Sequence, residues 1–180
     1  VPSPNNFVSV MADSLVSGFN IFCGGWLLSP SASEIEIITI NWLLKLFNFP
    51  LKEGGGFYTS GGSMANLTAI ATARKMKIGE SDFNATLYWS DEAHSSIHRA
   101  AKVLGFKDEQ IRVVPTDDQY KMRVDVLTDM ITADLAEGLT PFCVIASSGT
   151  TNTGTIDPLM DIADVCQQYS LWFHIDGAFG

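Results

Sequence analysis

The feature that most constrains the fold is an alternation. From residue 85 onward, short runs rich in β-branched and aromatic residues take turns with longer segments of helical character. "ATLYWS", "IRVVP", "FCVIASS" and "LWFHID" read as strands. Between them the pattern predicts helices over residues 95–104, 124–137 and 158–169. Gly105 and Gly138 stand where a left-handed cap would close the first two. Strands that alternate with helices of about ten to fifteen residues build βαβ units. The expected fold class is therefore α/β, with a mostly parallel sheet and helices on both faces. In such sheets ligands bind beyond the carboxyl ends of the strands. The loops after Thr59, Ser90, Ser148 and Asp176 are the places to look for a site.

The first third of the chain is different. Residues 6–22 are mixed apolar and read as helical. "SPSASEIEIITINWLLKLFNFP" reads as a second helix. Ser33 and Glu36 have the form of a capping box, Ile35, Ile38, Trp42 and Leu46 recur at helical spacing, and Pro50 lies beyond the end. A Gly-rich turn then leads into Phe57-Tyr58-Thr59, which reads as a short strand. Gly61-Gly62 opens a helix of small residues over 63–77. The expected organisation is an N-terminal helical segment over 1–50 and a core over 51–180.

A formal charge of −9 on 180 residues, without Lys/Arg clusters, argues against a nucleic-acid partner, which needs a basic surface. The longest apolar stretch, 19–30, is too short and too broken to span a bilayer, so no membrane partner is expected. Nothing resembles a signal peptide. Cys23, Cys143 and Cys166 are widely spaced, with no zinc pattern, and read as buried reduced thiols of a cytoplasmic protein. Val1 and the run that stops at Gly180 suggest a piece of a longer chain.

Asp91-Glu92-Ala93-His94 spells the DEAH box of a helicase. That element works only with a P-loop, G-x-x-x-x-G-K-[ST], and no such loop occurs. His94 and His98 stand at i and i+4, yet form no H-E-x-x-H pattern; no metal site is expected, and His98 reads as a surface residue. Asp91 and Glu92 then read as caps for the helix that starts near Ser95.

Four strand-end pieces suit one cofactor. "TSGGSMAN" joins a strand to a helix N-terminus, where free amides and the Ser63 hydroxyl suit a phosphate, unless Ser63 is simply an N-cap. His94 follows a strand and can stack on a flat ring. Asp176 ends an apolar strand, where a carboxylate wants a cation, and alternation puts His174, Asp176 and Ala178 on one side. "SSGTTNTGTIDP" offers the hydroxyls of Thr150 and Thr151, with Asp157 read as the cap of the following helix. A phosphate cup, an imidazole, a hydroxyl and a carboxylate together suit pyridoxal 5'-phosphate, whose pyridine nitrogen a carboxylate keeps protonated.

With these pieces in hand, the chain resembles the group II pyridoxal-phosphate-dependent amino-acid decarboxylases. The resemblance rests on "SPSASEIE", "TSGGSMANLTA", "SDEAHSSIHRAAKVLG" and "GTTNTGTIDP…WFHIDGAFG", in the family's order and spacing. It implies the large domain of the type I aminotransferase fold, and homodimers with sites at the subunit interface. It implies that Gly62 and Ser63 hold the phosphate, His94 stacks on the ring and orients substrate, and Thr151 lies at the ring's edge. Asp176 would pair with the pyridine nitrogen, with Ala178 packed opposite His94. The implied reaction is decarboxylation of an L-amino acid to the amine and carbon dioxide.

The resemblance also places a Schiff-base lysine a few tens of residues beyond the "HIDGA" run, past Gly180. None of Lys45, Lys52, Lys75, Lys77, Lys102, Lys107 and Lys121 stands in a matching context. The expectation is that these 180 residues alone are inactive. The N-terminal part looks closest to the aromatic branch, whose side-chain pocket lies here. Pro2, Ser3, Phe22 and Trp26 are the candidates, Trp26 reading better as dimer core. The competing readings are a carbon–carbon lyase of the sphingosine-phosphate-lyase type and a non-catalytic subunit that kept the fold.

Overall fold

The computed structural model describes residues 4–79 and 84–180. The chain divides into two compact units, Val1–Thr59 and Ser60–Gly180.

The first unit holds α1 (Phe7–Phe19), a single 3-10 turn (Trp26–Leu28) and α2 (Pro30–Leu46). Asn6 caps α1 through its side chain, which accepts from the Ser9 amide at 2.8 Å. α2 starts at Pro30, whose fixed φ suits a first helical position. Ser33 and Glu36 therefore lie inside the helix, and the expected capping box does not form. Glu36 instead accepts from the Tyr58 amide at 2.9 Å. Phe57, Tyr58 and Thr59 are not a strand. Residues 54–58 run along α2: a Cβ placed on Gly56 would come within 3.2 Å of Ile40. The amide at Tyr58 is satisfied by a side chain, not by a ladder.

The second unit is a four-stranded, all-parallel sheet: β1 (Ala85–Ser90), β2 (Ile111–Val114), β3 (Thr140–Ser147) and β4 (Trp172–Asp176), in the order β2-β1-β3-β4. α3 (Gly62–Lys77) and α4 (Ser95–Val103) cover one face; α5 (Val124–Ala136) and α6 (Leu159–Gln168) cover the other. Every residue of β1 is buried, so the strand reads as a continuous run and not as an alternation. Leu87, Trp89 and Ile145 pack with Ile70, Ala73 and Ile97 on the α3/α4 side. Tyr88, Val144 and Ala146 pack with Leu127, Ile131 and Ile162 on the other. The order reverses direction between β1 and β3, and the carboxyl ends of all four strands share one edge.

A buried polar cluster pins β1 to β2 and α5. Arg112 makes a forked pair with Asp134, at 3.0 and 2.7 Å, and the Tyr88 hydroxyl donates to the same carboxylate. Burial, first, and the bond to Asp134 push the Tyr88 phenol well above its ordinary range.

Candidate functional site

The sheet's carboxyl edge collects the residues singled out above. α3 opens here: Gly61, at φ +147°, is its N-cap, a conformation in which a Cβ would be strained. The glycine takes the cap position, so Ser63 is not an N-cap. Its hydroxyl makes no cap bond; Ser63 and Gly62 are both exposed at the opening turn. A Cβ on Gly62 would meet the Ala178 Cβ at 3.7 Å. The start of α3 and the segment after β4 are therefore neighbours.

Asp176 ends β4 and is half-buried. Its Oδ1 accepts from the Ala178 amide at 3.1 Å, and its Oδ2 from the Asn66 side-chain amide at 2.9 Å. None of the ion pairs among the described residues involves it. The carboxylate is oriented by neutral donors and keeps lone pairs for a cationic one.

No motif in the sequence singles out Asn66, yet it is the centre of the site. It is 3% exposed on α3. Its Nδ2 donates to Asp176 and, at 3.0 Å, to the Ser96 hydroxyl. Its Oδ1 meets His174 Nε2 at 2.8 Å. Burial lowers the His174 pKa below its ordinary value, against the opposing pull of Asp176. Ser96, 2% exposed, continues the chain: its hydroxyl lies 2.8 Å from His94 Nδ1. His94 itself is exposed and is the N-cap of α4, its Nδ1 accepting from the Ser96 amide at 3.2 Å. Asp91 and Glu92 are therefore not the cap. Glu92 accepts from the Asn152 side chain at 3.2 Å instead, which links the bend after β1 to the loop after β3.

In that loop Thr150 is buried and bonded to Thr153 at 2.6 Å, whereas Thr151 is exposed. Asp157 does not cap α6. It is 2% exposed and accepts from the amides of Ser147 and Met122, both at 2.8 Å, so it fastens the end of β3 to the 115–123 turn. Desolvation raises its carboxyl pKa, against those two bonds. His98 is exposed, with its ring edge-on to Trp89, and the described residues contain no cluster able to hold a metal. Phe22 is exposed in the first unit, beside Gly24, and so is Trp26. Pro2 and Ser3 lie outside the described residues.

One conserved domain, described as the pyridoxal-dependent decarboxylase domain, matches residues 1–180. The chain belongs to that family. Among its relatives, an aromatic-L-amino-acid decarboxylase of Bacillus atrophaeus is 47% identical over 180 residues, which is 100% of this chain and 37% of that protein. The mouse aromatic-L-amino-acid decarboxylase is 31% identical, over 99% of this chain and 40% of its own length. The crystal structure of Rhodiola rosea 4-hydroxyphenylacetaldehyde synthase superposes with a TM-score of 0.92 at 31% identity, over 98% of this chain and 40% of that one. The chain thus spans well under half the length of these relatives. As a family member it has the expected α/β fold, and its parallel sheet carries helices on both faces.

Proposed function

We propose that this chain is the cofactor-holding core of an enzyme that releases carbon dioxide from an aromatic L-amino acid and leaves the amine, with pyridoxal 5'-phosphate as cofactor. The observation that carries the reading is the joined arrangement at the sheet's carboxyl edge. A glycine-opened helix start, an oriented carboxylate and an exposed imidazole lie together, linked through Asn66 and Ser96. The residues fit the group. Gly62 and Ala178 are small where the start of α3 meets the segment after β4, and none of the ion pairs among the described residues engages Asp176, whose carboxylate suits a protonated pyridine nitrogen. When bound, the cofactor supplies an electron sink for the pair left at Cα.

The chain's own residues then have distinct tasks. Gly62 and Ser63, at the opening turn of α3, would hold the phosphate through their backbone amides and the Ser63 hydroxyl. Asp176 holds a proton on the pyridine nitrogen. His94 would offer its flat ring to the cofactor and orient the substrate, and Ala178 and Thr151 would complete the cofactor's surroundings. By the resemblance to the aromatic branch, Pro2, Ser3 and Phe22 would be the candidates for recognising the substrate's side chain. The match to aromatic-amino-acid decarboxylases supports the aromatic substrate. A cytoplasmic homodimer accompanies this reading. Support comes from the three unpaired cysteines and from α1, which exposes Phe7, Val8, Leu15 and Phe19 and buries nothing.

The test is a product assay on the full chain with added pyridoxal 5'-phosphate and a panel of L-amino acids. Amine and carbon dioxide from aromatic substrates are the expected result. An aldehyde in place of the amine, or turnover confined to acidic substrates, would overturn the proposal.

A further inference from the structure

The bonds around Asn66 have a direction that one atom decides. A carboxylate is acceptor only, so Asp176 Oδ2 fixes which end of the Asn66 amide faces it: the Nδ2 group, at 2.9 Å. The amide oxygen must then face His174, which donates from Nε2 at 2.8 Å. The second hydrogen on Nδ2 goes to the Ser96 oxygen at 3.0 Å. Ser96 has one hydroxyl proton, and its remaining partner is His94 Nδ1 at 2.8 Å. The Ser96 amide donates to the same nitrogen at 3.2 Å. Two donors converge on Nδ1, so the ring proton of His94 sits on Nε2. Asn66 and Ser96 are nearly fully buried, at 3% and 2% exposure, so water does not compete for these bonds.

We propose that Asn66 is a positioning residue: through Ser96 it locks His94 as the Nε2–H tautomer, and directly it fixes the plane of the Asp176 carboxylate. One buried amide thus aligns two groups from different elements, the cap of α4 and the end of β4. Its bearing on the reaction rests on the cofactor reading above; the tautomer does not.

Asn66→Asp keeps the shape and reverses the polarity. The Ser96 hydroxyl is then drawn to the new carboxylate and no longer donates to His94. In the full chain with 15N-labelled histidine, NMR of His94, assigned by its loss in His94→Gln, should show a single Nε2–H tautomer. Asn66→Asp should add a measurable Nδ1–H population and weaken cofactor binding about tenfold or more, read by the absorbance of the bound cofactor. In Asn66→Asp/Ser96→Ala the mutation at 66 should no longer affect His94, while the loss of cofactor affinity persists. Ser96→Ala alone, which leaves α4's backbone bonds in place, should lower the Nε2–H fraction. An unchanged His94 in both single variants overturns the proposal, as does a tautomer shift from Asn66→Asp that survives removal of the Ser96 hydroxyl. If no variant, nor the parent, binds the cofactor while the tautomers behave as stated, the functional reading fails and the relay stands.

Discussion

Asp176 has one hydrogen bond on each carboxylate oxygen, both from neutral donors, and it projects from the end of a strand where a ligand can reach it. Asp176→Asn would remove the charge that holds a pyridinium proton and put a donor against the Asn66 amide. Activity in the full chain should fall by roughly two orders of magnitude or more, since the loss of a positioned charge in such a site costs about 3 kcal/mol. Turnover assays and the absorbance of bound cofactor check this; near-full activity would refute the role. Asp134 makes a structural contrast. It bonds the Arg112 fork and the Tyr88 hydroxyl in the interior. Asp134→Ala should cost about 3 kcal/mol of stability, because it leaves a cation and a phenol without their partner; urea unfolding measures it. His174 adds a pH effect. Its folded pKa lies below the ordinary value, so below about pH 6.5 the unfolded chain binds a proton that the folded chain refuses. The contribution of His174 is therefore full at neutral pH and declines as the pH falls through that value. His174→Gln should flatten the stability curve between about pH 5 and 7. Asp176 was legible as a strand-end carboxylate in need of a partner. Asn66 left a fainter signal: a polar residue at i with Ile70 and Ala73 at i+4 and i+7, on what turned out to be the buried face.

The elements of the second unit followed their local signals closely. Each strand run lies in the sheet, and Gly105 closes α4 at φ +89°. Gly105→Ala puts a Cβ where nothing lies within 4 Å, so its cost is backbone strain alone. That should be about 1 kcal/mol, seen as a small fall in Tm. Local signal and structure part where a side chain serves a distant partner. Ser33 and Glu36 have the spacing of a capping box, yet Glu36 bonds Tyr58, 22 residues away. Asp157 stands before Pro158 as a helix cap would, yet it bonds amides at Ser147 and Met122. Ser63 is of a residue type that caps helices, yet Gly61 takes that position through its unusual φ. Local motifs assign a polar side chain to the nearest backbone, whereas a folded chain offers it nearer groups from remote segments.

Across the whole molecule, burial sorts residues of one kind into different fates. Cys143 and Cys166 are buried on opposite sides of the sheet and Cys23 is exposed, where all three were expected inside. Burial pushes the Cys166 thiol up to about 12 and Cys143 higher still. Both should resist iodoacetamide in the folded protein and react once it is unfolded; mass spectrometry of labelled peptides checks this. The sequence by itself determined the succession of strands and helices, because apolar runs and glycine caps act within a few residues. It determined the family too, since its motifs are contiguous in the chain. Only the tertiary structure decided which polar side chains meet. His94, Ser96, Asn66, His174 and Asp176 come from two helix starts and one strand end, and they converge because parallel strands bring their carboxyl ends to one edge. That convergence also set the direction of each proton, because a single acceptor-only carboxylate orients every donor in the chain of bonds.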